Sequence, residues 1–209
     1  MIRHPFLVAG LFLVAAVVPS AAQENEHASQ VRHRNECRLA AQVLVAGSPN
    51  PKRSWARAKI GSCAPEFAVP ALATWWQERS SDVDDLGELH EASRRVRDRR
   101  IYESAKAAVE DESRPPLARI AALGVLAAYV EEEITLVLQF LEPVPALRGR
   151  WTSVWTRDNH AYQVDGDQPL PSTAAQSIVD LAHRLTRDPS EPVRETARYL
   201  TLLPPFTRP

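Results

Sequence analysis

The chain lacks the sequence features of several widespread classes of protein, among them nucleotide-binding proteins, basic nucleic-acid-binding proteins and zinc proteases. Among its 209 residues are only two cysteines and seven glycines, and no glycine-rich phosphate-binding loop occurs anywhere. The charges nearly cancel, with 25 basic and 26 acidic residues, which excludes a strongly basic nucleic-acid-binding protein at the level of the whole chain. A zinc-protease motif starting at His90-Glu91 fails because its second histidine would stand at Arg94.

Long apolar runs are also missing, apart from one at the N-terminus. The stretch Phe6–Val18 is shorter than the about 20 residues that a membrane span needs. It follows a basic start and precedes the small residues of Ser20-Ala21-Ala22, an order typical of a secretory signal peptide. We therefore expect residues 1–22 to be a signal peptide cleaved after Ala22, 23–30 to be disordered, and the protein to be secreted or periplasmic without a membrane span. An uncleaved N-terminal anchor is the alternative.

One pattern occurs three times along the remaining chain. Pro51, Pro116 and Pro192 each begin an apolar segment, and each is followed five residues later by an alanine. Proline suits the first turn of a helix because its fixed φ is helical and its missing N–H has no partner there. Upstream of each proline, apolar residues recur at distances of 14, 11 and 7 and predict one face of a preceding helix. These positions are Cys37, Ala40 and Leu44; Tyr102, Ala105 and Val109; and Ile178, Leu181 and Leu185.

The third unit, RDPSEPVRETARYL at residues 187–200, resembles the second-helix signature of HEAT repeats. The residues that carry the resemblance are Asp188, Pro192, Val193, Arg194, Ala197 and Leu200. DESRPPLARIAALGVL matches less strictly, with Ala118 at the arginine position, and SPNPKRSWARAKI matches weakly. The resemblance implies an all-α superhelix of about three helical hairpins over residues 31–209, which binds other macromolecules and has no catalytic residues or cofactor.

The two cysteines, Cys37 and Cys63, lie at similar distances before and after the turn predicted near residues 48–50. In an antiparallel hairpin they would meet at the open end, and an exported protein encounters oxidising conditions. We therefore predict a disulfide, with two buried free thiols as the alternative. No paired CxxC spacing indicates a metal site.

A pair of tryptophans and a run of charged residues follow the second cysteine. Trp75 and Trp76 are expected to be core or cap residues rather than a ligand platform. An acidic segment at 82–91 precedes a basic one at 94–100, and this order along a helix favours a solvated, ion-paired face. The alternatives are an anion-binding patch, for which Arg95 and Arg99 are the candidates, and a DNA-contacting surface.

After Val130 the pattern loosens. Residues 131–141 fit either a short helix or an extended segment, and 148–171 is predicted to be one long irregular insertion. The insertion holds the candidate binding residues Trp151, Trp155, His160 and Tyr162. Packing of its aromatic residues over the helical body is the favoured interpretation.

Catalysis in the insertion is the alternative. His160 with Asp158 or Asp165 would form a base and its orienting partner, and His160, Asp165 and Asp167 would be scattered metal ligands. No serine or cysteine nucleophile stands in a recognisable motif. The sequence therefore predicts an exported, non-catalytic module that binds a protein partner, with no cofactor, no metal and no nucleic acid. A small hydrolase or metal-dependent enzyme that uses residues 148–171 is the rival hypothesis.

Overall fold

The computed structural model describes residues 21–46, 51–132, 134–140, 151–157 and 163–207. The described residues are mostly helical, which confirms the predicted all-α class. The helices are α1 (Ala21–Val45), α2 (Arg53–Ile60), α3 (Pro65–Trp75), α4 (Val83–Arg94), α5 (Arg99–Glu110), α6 (Pro116–Val130), α7 (Ala174–Leu185) and α8 (Glu191–Leu200). The strands are β1 (Val96–Arg97), β2 (Ile134–Phe140), β3 (Trp151–Arg157) and β4 (Val164–Asp165).

The chain divides into two compact units, residues 1–33 and 34–209. In the first unit, residues 23–30 are helical, as part of α1, rather than disordered. The segment contains no glycine or proline and has two glutamines, two glutamates and an alanine, which favour helix, and the side chains of residues 25–30 are exposed. Gln30 Nε2 donates to Glu26 Oε1 one turn earlier, at 3.4 Å. Residues 1–20, the body of the predicted signal peptide, lie outside the described residues.

Helices form in the second unit where the apolar spacing predicted them. All nine apolar positions counted back from the three prolines are buried, and Ala56, Ala121 and Ala197 are fully buried. Helices α5 and α6 pack against one another across a short turn, as do α7 and α8. Cys37 of α1 and Cys63, three residues after α2, form the predicted disulfide, with their Cα atoms 5.5 Å apart. The stacking of these hairpins into a superhelix stays a prediction.

Helix α6 is the central element. It packs against α4, α5, α7, α8 and β2, and every residue from Ala118 to Tyr129 is buried. The spacing had predicted a single apolar face. Burial extends around the whole helix because no charged side chain stands between Ile120 and Val130, so no face requires water.

The paired tryptophans are core residues, as predicted. Trp75 and Trp76 are both buried, and Trp76 Nε1 donates to Ser93 Oγ of α4 at 3.0 Å. The Arg57 guanidinium of α2 lies over the Trp75 ring, 5.0 Å from its centroid. The end of α3 is thereby joined to both α2 and α4.

The acidic and basic segments do not form one helix, so that prediction is wrong. Helix α4 ends at Arg94, the chain extends through β1, and α5 begins at Arg99. The break occurs at Asp98, whose side chain accepts a hydrogen bond from Arg100 N as the N-cap of α5. A capping aspartate in extended conformation cannot also be the interior of a continuous helix.

The prediction of a wholly irregular insertion over 148–171 is also wrong. Residues 151–157 form β3, which pairs antiparallel with β2, and residues 164–165 form β4, which pairs parallel with β1. The alternation in 134–140 therefore marks a strand rather than a helix. Threonine, valine and tryptophan favour extended structure in β3, but the pairing that stabilises it comes from a distant segment.

Candidate functional site

The two candidate tryptophans both lie in strand β3. In the β2–β3 register, Trp155 stands opposite Leu136 and Trp151 stands opposite Phe140. The tryptophans thus lie four positions apart along one strand of a hairpin rather than in an irregular loop. The structure brings these two sequence-predicted residues into one element.

The hairpin is anchored on the helical body at its base. Ile134 and Leu136 of β2 are buried, β2 packs against α6, and β3 packs against α8. Gly124 of α6 permits this close approach, because a Cβ atom there would lie 2.9 Å from Leu136 Cβ. A glycine inside the most buried helix therefore has a packing role at the root of the hairpin.

His90 of α4 also lies close to Gly124. It is only 2% exposed, and a Cβ at Gly124 would lie 2.7 Å from its Nε2 atom. Among the described residues Nε2 has no hydrogen-bond partner, while Nδ1 lies 3.5 Å from Glu91 Oε1. The hydrogen bond from His90, together with Arg94, lowers the pKa of Glu91 to about 2.

The two candidate arginines lie at the ends of different helices. Arg95 is the exposed C-cap of α4, and Arg99 is the first residue of α5, where its Nε donates to Glu103 Oε1 at 2.7 Å. The ion pairs described for these arginines stay near their own positions, Arg95 with Glu91 and Arg99 with Glu103. The side chains of β3 lie outside the described part of the chain.

A buried carboxylate, Asp98, holds the C-terminal part of the insertion in place. It is fully buried and accepts hydrogen bonds from Arg100 Nε at 2.9 Å, Arg100 Nη2 at 3.0 Å and Gln168 N at 3.1 Å. Burial by itself would raise the pKa of Asp98, but the hydrogen bonds from Arg100 and Gln168 outweigh it and lower the pKa. Gly166 packs directly on this carboxylate, because a Cβ there would lie 2.4 Å from Asp98 Oδ2.

Gln163 provides a second attachment for the same segment. Its Nε2 donates to the carbonyl oxygens of Arg94 at 2.8 Å and Ala128 at 2.9 Å, at the C-terminal ends of α4 and α6. The backbone of β4 adds bonds from Val164 N to Arg95 O and from Gly166 N to Arg97 O. The insertion is thus tied to the helical body both before and after the residues around His160.

A cleft of about 530 Å³ lies beside this attachment. Arg97 and Asp165, which are partners in the β1–β4 register, contribute its charged groups. Tyr129 is buried at the wall, where its hydroxyl donates to Val96 O at 2.6 Å, and burial raises its pKa. The remaining lining is residues 166 and 169–172 together with Ala174 and Ala175 at the start of α7.

The catalytic alternative depends largely on residues that the structure leaves out. Asp158, His160 and Tyr162 lie outside the described residues. Asp165 is exposed in β4, and Asp167 is exposed, with an oxygen 3.8 Å from Arg100 Nη2. Among the described residues no three histidine, cysteine, aspartate or glutamate side chains cluster as metal ligands would.

Sequence reasoning missed Asp98, Gln163 and the cleft. Asp98 followed by Arg99 and Arg100 is a local N-cap signal, so the start of α5 was available from the sequence. Nothing local indicates that Gln163 reaches Arg94 and Ala128, because these contacts join three separate segments.

No family model, curated protein or solved structure matches the chain. Over the described part of the chain, none of the helices combines the length and the apolar character that crossing a membrane requires.

Proposed function

We propose that this chain is an exported, non-catalytic module that binds a protein partner through the β2–β3 hairpin. The observation that carries the proposal is the position of Trp151 and Trp155 in one strand of that hairpin. Tryptophan is enriched among the residues that contribute most to protein interfaces. A paired strand presents such residues with less conformational freedom to lose on binding than an irregular loop.

The hairpin also has backbone groups available for a partner. Among the described strands, β2 and β3 form a two-stranded sheet with no third member. Each strand therefore has one edge at which alternate N–H and C=O groups face away from the sheet. Such edges recur as peptide-binding elements because main-chain hydrogen bonds provide affinity.

The helical body would act as a rigid support for the hairpin. Burial of the nine repeated apolar positions supports a HEAT-like arrangement, in which helical hairpins present a surface to other macromolecules. β2 packs on α6 and β3 packs on α8, which supports a helical body that holds the hairpin while the hairpin contacts the partner. Fold alone does not fix the partner.

The disulfide supports export. Cys37 and Cys63 are the only cysteines of the sequence, and they are bonded to one another. Disulfides persist in oxidising compartments such as the periplasm and the extracellular space. The predicted signal peptide at residues 1–22 would direct the chain there.

The ion pairs of the basic segment favour a protein partner over nucleic acid. Arg94 pairs with Glu91, Arg99 with Glu103, and Arg100 with Asp98. Guanidinium groups that already have carboxylate partners are poor phosphate ligands, because binding would have to break these pairs.

Affinity purification of the tagged full-length chain from its own host tests the proposal. One protein should co-purify at a stoichiometric level and be lost when Trp151 and Trp155 are both changed to alanine. Trp55→Ala is the matched control, since Trp55 is an exposed tryptophan on α2, 39% accessible. Retention of the partner by the double variant, or its loss in the control, would contradict the proposal.

One observation favours the rival enzymatic function. Asp165 lines a cleft whose volume falls within the range of about 300–1,000 Å³ typical of ligand sites. Hydrolytic activity of the purified chain that is abolished by Asp165→Asn and kept by Asp167→Asn would support an enzyme. Equal activity of the two variants would contradict it.

A further inference from the structure

Among the described strands β3 pairs only with β2, so one edge of β3 has no strand partner there. Exposed edges in natural proteins carry charged residues, prolines or bulges that prevent pairing with another chain. Among the seven residues of β3 the only charge is Arg157, at its end, and the strand contains no proline or glycine. Its sequence, WTSVWTR, consists mainly of residues that favour strands.

The strand is also compatible with itself. If two copies of β3 pair antiparallel about a two-fold axis through Val154, Trp151 stands opposite Arg157 of the second copy, twice. Thr152 then stands opposite Thr156, and Ser153 opposite Trp155. No like charges meet, threonine pairs stabilise antiparallel sheets, and an arginine beside a tryptophan is a favourable cation–π pairing.

We propose that β3 forms this antiparallel pair with β3 of a second copy, which makes a dimer with a four-stranded sheet in the order β2–β3–β3–β2. Each hairpin then has only its β2 edge unpaired. The sheet would bring two copies of Trp151 and of Trp155 onto its two central strands. The dimer proposal is based on the β2–β3 pairing and the sequence of β3, and it does not require the proposed partner binding.

Two further observations favour a second copy as the occupant. Tyr199 and Leu202, at the end of α8 and just after it, are 58% and 70% exposed, and α8 is the helix that packs against β3. The formal net charge of −1 means that two copies repel one another little.

Of the two strands of the hairpin, β3 is better suited than β2 to pair with a second copy. β2 packs on the helical body through its buried residues Ile134 and Leu136. Val137 of β2 is the register partner of Val154 and provides a matched control position in the same hairpin.

Sedimentation velocity on the purified full chain is the first test. The wild type should sediment as a dimer at micromolar concentration. Val154→Lys, which places two like charges opposite one another at the two-fold axis, should raise the dissociation constant about tenfold or more. Val137→Lys should leave it unchanged, and the circular dichroism spectra of both variants show whether the fold is kept. A monomeric wild type would overturn the proposal, and the unpaired edge of β3 would then be available to a strand of another protein.

Cysteine cross-linking is the second test and needs no destabilising charge. Val154→Cys should give a covalent dimer under mild oxidation, because Cα atoms of directly opposed residues lie within disulfide reach. Val137→Cys should not, since three strand spacings, about 14 Å, separate the two β2 strands. Cross-linking of the second variant and not the first would place the interface at β2 and overturn the proposal. If a variant still dimerises but no longer captures the partner, the result bears on the proposed partner binding and leaves the dimer proposal intact.

Discussion

Arg119 and Asp188 form a buried two-pronged ion pair between residues that are 69 positions apart in the sequence. Arg119 Nη1 donates to Asp188 Oδ1 at 3.0 Å and Nη2 donates to Oδ2 at 2.5 Å. Arg119 Nε donates in addition to Val109 O at 2.8 Å, and Ser190 N donates to Asp188 Oδ1 at 2.9 Å. One arginine therefore joins the end of α5, the centre of the body at α6, and the turn between α7 and α8.

Replacing Arg119 with methionine should destabilise the protein strongly. The substitution keeps most of the side-chain length but leaves the buried Asp188 charge without its partner, which costs about 3–5 kcal/mol. Arg184→Ala removes the exposed pair with Glu110 and should cost less than about 1 kcal/mol. Urea unfolding of both variants measures the difference, and equal losses would show that the buried pair has no special role.

Gly124 of α6 and Gly87 of α4 should respond oppositely to replacement by alanine. Nothing lies within 4 Å of a Cβ placed at Gly87, so Gly87→Ala should gain up to about 1 kcal/mol in helix propensity. A Cβ at Gly124 would meet His90 Nε2 at 2.7 Å and Leu136 Cβ at 2.9 Å, so Gly124→Ala should cost about 1–3 kcal/mol. Thermal unfolding measures both changes, and a stabilised Gly124→Ala variant would contradict the packing at the hairpin root.

The Asp98 carboxylate should make stability depend on pH in the acid range. Its pKa is lowered in the folded state, so its contribution is complete above the unfolded value of about 3.8 and is lost as the pH falls through the folded value. Asp98→Asn should therefore be less stable than wild type at pH 7, and the difference should shrink below about pH 4. Denaturant unfolding at a series of pH values measures this, and a difference independent of pH would contradict the assignment.

The Cys37–Cys63 disulfide should contribute about 3 kcal/mol to stability. The bond closes a loop with a sequence separation of 26, and its loss gives the unfolded chain more conformational freedom. The paired variant Cys37→Ser with Cys63→Ser should show this loss in urea. Reducing the wild type should give a similar loss, and no change in either experiment would be inconsistent with the bond.

The sequence predicted the features that depend on local spacing. Helical periodicity placed Cys37, Tyr102 and Ile178 in the core, because a buried helix face repeats every three or four residues whatever it packs against. Trp75 and Trp76 were expected to be core or cap residues because paired tryptophans are more often that than a ligand platform, and both are buried.

What the sequence left undetermined depends on contacts between distant segments. Strand β3 is stabilised by pairing with β2, and Arg119 finds its partner at Asp188, so neither is visible in a local window. The cleft brings Arg97, Tyr129 and Asp165 together from three separate segments. The candidate residues Trp151 and Trp155 were identified by composition alone, and only the pairing register places them in one strand.

Amide hydrogen exchange of the full chain, alone and with its co-purified partner, tests most directly whether the hairpin is the binding surface. We expect the partner to slow exchange in residues 134–140 and 151–157 and to leave exchange in residues 165–175 around the cleft unchanged. Slower exchange at the cleft with none at the hairpin would contradict it and place the functional surface beside Arg97 and Asp165.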